Sequence, residues 1–257
     1  MENICSGKAK LADLRARVAS LEGGRTARRG PVFQTGFPEG LQRQALHDLY
    51  AETPSDAVAL NAFGLGLALQ AASGRTIVWV LHDLMGHETG WPDGRGLREL
   101  GVNPHDLLLV MARDVRDLLM VGEEAVRTPE VGAVLLSAWG EARAIGLTAS
   151  RRLSLAAGEG GSPVFFARAA ADPAPSAADT RWSVRAAASV PLEGEAPGRP
   201  CFSASLLRHR GGGAPRTWIM EWDRERRSFA TPTLSGGLVP LAVQRPAETH
   251  GGGRHVA

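Results

Sequence analysis

The segment Tyr50-Ala51-Glu52-Thr53-Pro54-Ser55-Asp56-Ala57-Val58-Ala59-Leu60 lies between a short apolar run and the start of a helix. In a parallel α/β sheet the loop after the first strand faces the ligand crevice. Phosphate binding there needs glycines, whose backbone N–H groups can approach the oxyanion, together with a lysine and a magnesium-bound hydroxyl. This loop has neither Gly nor Lys. Glu52 and Asp56 bring negative charge instead, and like charges about 4 Å apart at an intermediate dielectric repel by several kcal/mol. Nucleotide hydrolysis also takes an acidic residue at the end of a buried strand to hold Mg²⁺. The run Ala133-Val134-Leu135-Leu136 ends in Ser137, and a lone hydroxyl is a weak magnesium ligand. Both halves of a nucleotide site are missing, so these residues predict no catalysis and no cofactor.

Other groups able to do chemistry are few. His82-Asp83 and His87-Glu88 follow the run TIVWVL, at a strand end where metal ligands can gather. Their spacing fits no standard zinc motif and a third ligand is lacking, so a polar loop without metal is the expectation. Cys5 and Cys201 stand far apart with no CxxC pattern and read as two reduced thiols.

Arginine carries nearly all the positive charge, since Lys8 and Lys10 are the only lysines. Arg151 and Arg152 fall in the first turn of a helix, where the dipole does not favour cations. They either pair with Glu141 or meet an acidic partner or DNA. Arg168, Arg181 and Trp182 flank a Pro/Ala loop. Arg beside an aromatic ring suits single-stranded DNA, through phosphate contact and base stacking; Trp182 fits a core equally well. Arg208-His209-Arg210 and Arg224-Glu225-Arg226-Arg227 are basic clusters, readable as solvated strand ends or as a partner or phosphate surface.

The elements that must position these groups alternate. Lys8 to Glu22 reads as an amphipathic helix with a stripe of Leu11, Leu14, Val18 and Leu21, stopped by Gly23-Gly24. Residues 1–24 are thus a candidate docking helix, 25–40 an Arg/Gly/Pro-rich linker, and 41–245 the main domain. Within it, Ala45–Tyr50 is a short strand, and Thr53, Pro54 and Asp56 start a helix that Ser73-Gly74 ends. Thr76–Leu81 and Leu107–Met111 read as strands buried on both faces, with Ala133–Leu136 a third and Pro163–Ala167 a fourth. Helices fall at 114–127 and 148–157. This alternation predicts an α/β fold with a mostly parallel sheet flanked by helices. Residues 168–180 form an Ala/Pro/Ser-rich loop expected to be mobile. Strand-like stretches at 181–187, 202–209 and 217–222 predict an antiparallel, strand-rich extension over 181–245. Residues 246–257 read as a disordered tail.

The length fits one large domain or one domain plus a small addition, and 44% of the 257 residues are hydrophobic, enough for a sizeable core. No apolar run reaches the roughly 18 residues of a membrane span. The first ten residues are polar and lack an apolar signal segment, which predicts a cytoplasmic protein. The net charge of +2 hides an asymmetry. Residues 1–140 hold 14 Lys and Arg against 17 Asp and Glu, while 141–257 hold 15 against 10. The basic half is compatible with a face for phosphate or an acidic partner, and equally with the Arg bias of a GC-rich genome.

Several stretches resemble ImuA, the RecA-like accessory family of bacterial mutagenic translesion synthesis. They are LADLRARVASLEGG (11–24), the loop 50–60, GAVLLSAWGEARAIGLTASRRLSLAA (132–157), PSAADTRWSVRAAAS (175–189) and LLRHRGGGAPRTWIMEWD (206–223). The resemblance implies a RecA-like fold. It puts the RecA phosphate-binding Lys at Ala57, the magnesium hydroxyl at Val58 and the magnesium carboxylate at Ser137, so Ser55, Asp56, Ala57, Val58 and Ser137 form a degenerate nucleotide site. Residues 168–180 take the place of a RecA DNA-binding loop. It further implies a non-catalytic role in the SOS response, with an ImuB-type adaptor, an error-prone DnaE-type polymerase and RecA as partners, single-stranded DNA as a possible contact, and nucleoid association on DNA damage. A SulA-type inhibitor of cell division, also similar to a RecA fold without its phosphate loop, is the alternative.

Overall fold

The computed structural model describes residues 41–232, apart from Gly213. The stripe Leu11, Leu14, Val18 and Leu21, the linker 25–40 and the tail 246–257 lie outside the described residues. The rest is one sheet with helices on its two faces. Nine strands run β1 (Leu46–Ala51), β2 (Thr76–His82), β3 (Leu107–Ala112), β4 (Val131–Trp139), β5 (Val164–Ala169), β6 (Thr180–Ala186), β7 (Cys201–His209), β8 (Arg216–Asp223) and β9 (Ser228–Ala230). Their order in the sheet is β3-β2-β4-β5-β1-β6-β7-β8-β9. Every pair from β3 to β6 is parallel, and the pairs from β6 to β9 are antiparallel. This is the mixed α/β sheet that the alternation predicts.

Five α-helices complete it: α1 (Ala57–Ala72), α2 (Asp83–Thr89), α3 (Gly94–Glu99), α4 (Val115–Arg127) and α5 (Leu147–Gly160). Beyond its exposed first turn at Val58, the helix α1 is buried on nearly all sides and is correspondingly apolar all round. It packs on one side of the sheet with Leu49, Leu135 and Phe165, and the aromatic residues Trp222 and Phe229 of the antiparallel end close over it. Gly66 permits that closure, since a Cβ there would lie 2.7 Å from the Phe229 ring. The other face is covered by α4 and α5, with Val78, Val80, Leu136, Val164 and Phe166 beneath them. The side chain of Asp114 caps α4 by accepting from Arg116 N and Asp117 N at 2.8 and 2.9 Å.

Several expectations change. The loop expected around His82-Asp83 and His87-Glu88 is the short helix α2. Its single deeply buried apolar side chain, Met85, gives too little periodicity to read. The helix α3 begins at Asp93, whose carboxylate accepts from Arg95 N and Gly96 N. Leu107–Met111 is not buried on both faces: β3 is an edge strand, with Leu108 54% and Met111 49% exposed. Apolar content alone could not tell an edge from the centre. The strand at Ala133–Leu136 runs on through Ser137 to Trp139. The first strand after residue 180 pairs parallel with β1, so the antiparallel extension starts one strand later.

The loop expected to be mobile spans 170–179, because Arg168 and Ala169 belong to β5 and Thr180 to β6. It connects the carboxyl end of β5 to the amino end of β6 and so runs the length of the sheet. Hydrogen bonds along its length fasten it, among them Asp172 N to Glu141, Ala174 N to the Tyr50 hydroxyl, Ala177 N to Ser150 Oγ, Ser176 Oγ to Asp48 and Asp179 N to Leu46 O.

Candidate functional site

The β1–α1 loop stands at the carboxyl end of the central strand, where a parallel sheet places its ligand crevice. Four of its backbone donors, those of Glu52, Thr53, Asp56 and Ala57, are already engaged. Glu52 N donates to Val184 O at 2.9 Å. Thr53 N donates to Asp56 Oδ2 at 3.1 Å, and the Thr53 hydroxyl donates to the same oxygen at 2.7 Å. Pro54 has no N–H. Asp56 N donates to Thr53 O, and Ala57 N to Pro54 O. The other Asp56 oxygen accepts from Ala186 N at 3.0 Å, tying the loop to the end of β6. Burial pushes the Asp56 carboxyl up, but the bonds from Thr53 and Ala186 outweigh it and hold it below the ordinary carboxylate range. Asp56 thus takes, from within the loop, N–H and O–H donors that an oxyanion would otherwise have to recruit. Ser55 is exposed and shares a hydroxyl contact with Thr53 at 2.7 Å. Ala57 points into the core, and Val58 is exposed to solvent. The Glu52 carboxylate meets Arg185 at 3.4 Å.

Ser137 is fully buried inside β4. It accepts from Trp79 Nε1 at 2.9 Å and donates to Asn61 Oδ1 of α1 at 2.8 Å. A relay of three neutral side chains therefore stands where the resemblance puts a magnesium carboxylate. Among the described residues no three His, Cys, Asp or Glu side chains converge as a metal site. His87 faces Asp83 at 3.7 Å along α2. No helix of the described residues is long and apolar enough to cross a membrane.

The arginines divide by burial. Arg168 is buried, donating to the Tyr50 hydroxyl at 2.8 Å and to Glu141 at 3.2 Å. Arg181 is nearly buried, 3.0 Å from Ser176 Oγ and 3.6 Å from Asp48. Trp182 is 2% exposed and donates from Nε1 to Thr180 Oγ1 at 2.8 Å. Trp182 has no open face on which a base could stack, and the guanidiniums of Arg168 and Arg181 are turned into these internal contacts. Arg152 pairs with Glu123 at 2.7 Å, and Glu141 belongs to Arg168, so the expected pairing of Arg151 or Arg152 with Glu141 does not form. Arg151, Arg152, Arg208 and Arg210 are exposed, Arg152 even while paired. Arg208 donates to Ala178 O at 3.2 Å.

The sequence reading missed the polar network itself: buried Asp48 and Tyr50, half-buried Ser176 and exposed Glu141 around the two arginines. Its signal was present in β1, Leu46-His47-Asp48-Leu49-Tyr50-Ala51, a wholly buried strand that carries His47, Asp48 and Tyr50 among its apolar residues. Burial pushes the Asp48 carboxyl above its ordinary value, against the pull of Ser176, Arg181 and Arg168. His47 has its tautomer fixed by its neighbours. Its Nε2 lies 2.9 Å from the Gln42 carbonyl, which can only accept, so Nε2 carries the proton. Nδ1 then accepts from the Thr180 hydroxyl at 2.8 Å, and that hydroxyl accepts from Trp182.

A second proton on His47 would break this chain, and burial pushes its pKa below the ordinary 6.5. The folded chain therefore resists a proton that the unfolded chain accepts. Stability is unaffected by His47 above pH 6.5 and falls as the pH drops below it, by up to about 1.4 kcal/mol per pH unit. Urea unfolding from pH 7.5 to 5 measures this, and the slope should flatten in His47→Gln relative to wild type. His82, also pushed down by burial, contributes in the same sense to both proteins.

Fold and site together define an α/β protein with a mostly parallel sheet whose first crossover loop is closed on itself. No known family profile matches the chain, and no curated protein matches it. Among solved structures, SulA from Pseudomonas aeruginosa is similar at 21% identity over 48% of this chain and 97% of that one, with a TM-score of 0.37.

Proposed function

We propose that the chain is a non-catalytic RecA-like accessory protein of damage-inducible translesion synthesis. It acts with an ImuB-type adaptor, an error-prone DnaE-type polymerase and RecA, and gathers at the nucleoid on DNA damage. The observation that supports the non-catalytic part is the β1–α1 loop, where the N–H groups of Glu52, Thr53, Asp56 and Ala57 are bonded within the protein and Asp56 is held by Thr53 and Ala186. Binding ATP there would require expelling Asp56 from three hydrogen bonds and placing phosphate beside two carboxylates. The partner assignment rests on the quoted sequence segments. It leaves Arg151, Arg152, Arg208 and Arg210 as the exposed candidates for partner or DNA contact.

Titration calorimetry with ATP and Mg²⁺ should give no binding in the micromolar range, and binding there would overturn the non-catalytic reading. In a pull-down the protein should retain a purified ImuB-type adaptor and not a purified tubulin-like division protein. The opposite pattern would replace this reading by a SulA-type inhibitor.

A further inference from the structure

The sheet ends in two unlike edges. The strand β9 is three residues long. The strand β3 is six, Leu107-Leu108-Leu109-Val110-Met111-Ala112, and runs in unbroken register along β2 from Ile77–Leu107 to His82–Ala112. Its other side carries no strand among the described residues, and none of its backbone groups bonds a turn, loop or cap there. An edge strand offers a row of free N–H and C=O groups to any extended chain, and proteins blunt such edges with a charge, a proline or a bulge. The strand β3 has none of the three.

Its exposed side chains lie on both faces of the sheet. Val110 and Ala112 pack with the layer of α4 and α5, so Leu108, in step with them, is on that side. Leu107 and Leu109 pack with the layer of α1, which puts Met111 on the opposite side. Leu108 is 54% and Met111 49% exposed. A helix laid on either face would cover one of them. A strand placed alongside β3 brings side chains to both.

The ends of β3 point to what that strand is. Asp106 precedes it, and Arg113, whose side chain is 92% exposed, follows it. A second β3 running antiparallel, about a two-fold axis normal to the sheet, brings the Asp106 end of each copy beside the Arg113 end of the other. A parallel copy would stack like charge on like at both ends. Centred on Leu109, the antiparallel ladder sets Leu108 against Val110 of the other copy and Met111 against Leu107, apolar throughout. We infer that two copies of this chain associate through β3 in this antiparallel manner, joining their nine-stranded sheets into one.

Sedimentation equilibrium of the full chain tests this. A six-residue ladder stands at the small end of interfaces, so the wild type should dimerise with a Kd of about 10–100 µM. Leu108→Lys combined with Met111→Lys supplies the charges that β3 lacks and should raise that Kd at least about tenfold. Both side chains are exposed in the monomer, so the thermal midpoint of this variant should match that of wild type. Leu155→Lys, on the exposed side of α5, should leave the Kd unchanged. Arg113→Asp should weaken the dimer about fivefold, and adding Asp106→Arg should restore it. A chain that stays monomeric up to about ten times the expected Kd would overturn the inference. So would a dimer indifferent to the two lysines, or one that the charge exchange does not restore. Assemblies larger than a dimer count against it as well, because a two-fold contact uses up the edge.

Discussion

Replacing Asp48 with alanine should lower the stability of the folded chain by about 3–5 kcal/mol, the range seen when one member of a buried ion pair is removed. Asp48 is the buried carboxylate between Arg181 and Ser176. Glu141, the other acid of the network, is largely exposed and already serves Arg168. Without Asp48 the guanidinium of Arg181 keeps only the Ser176 hydroxyl and stays out of water. The Nε groups of Arg168 and Arg181 are already buried without a partner, so little spare solvation remains to absorb the loss. The same change frees Ser176 and with it the middle of the 170–179 connection. Denaturant unfolding reads the first effect, and limited proteolysis within 170–179 the second. Asp48→Asn, which keeps an acceptor for Ser176 and loses the charge, should fall between wild type and alanine. An alanine variant as stable as wild type would mean that the ion pair contributes nothing.

Trp182→Ala should cost a similar amount, about 3–5 kcal/mol, as large-to-small changes of a buried aromatic do. Trp182 is among the largest fully buried side chains and packs at 5.6 Å from the Trp218 ring. Its loss opens a cavity between β6 and β8 and removes the donor that orients Thr180 toward His47. The midpoint of thermal unfolding should drop by roughly 6–20 °C for a domain of this size. The surface reading of this residue predicts the reverse: unchanged stability with weakened binding to single-stranded DNA.

Most of the fold was legible because its strands are short, continuous and apolar, and its helices start at residues with a capping chemistry. Thr53-Pro54, Asp114 and Ser73-Gly74 marked boundaries that the structure keeps within a residue or two. The features that failed to read depended on neighbours far away in sequence. Leu108 and Met111 look like core until one knows that β3 has a strand on one side only. Arg168 and Arg181 look like a basic surface until Glu141, Asp48 and Tyr50 are brought to them. The β1–α1 loop was read correctly as lacking Gly and Lys. Its closure by Asp56 on Ala186 joins residues 130 positions apart, and no local pattern announces it.

The place of β1 in the sheet also sets the order in which the molecule can assemble. Its two partners are β5, beginning at Val164, and β6, beginning at Thr180, so the first strand of the sheet is flanked only by strands made long after it. The His47–Thr180 bond spans 133 residues. At about 5–20 residues per second, a ribosome leaves that strand unpaired for on the order of ten seconds. Such late closure belongs to slow-folding topologies. Leu46, Leu49 and Tyr50, all buried at the end, are open to solvent throughout that interval. In the cell the yield of this protein is then governed by how well the nascent chain is shielded during synthesis.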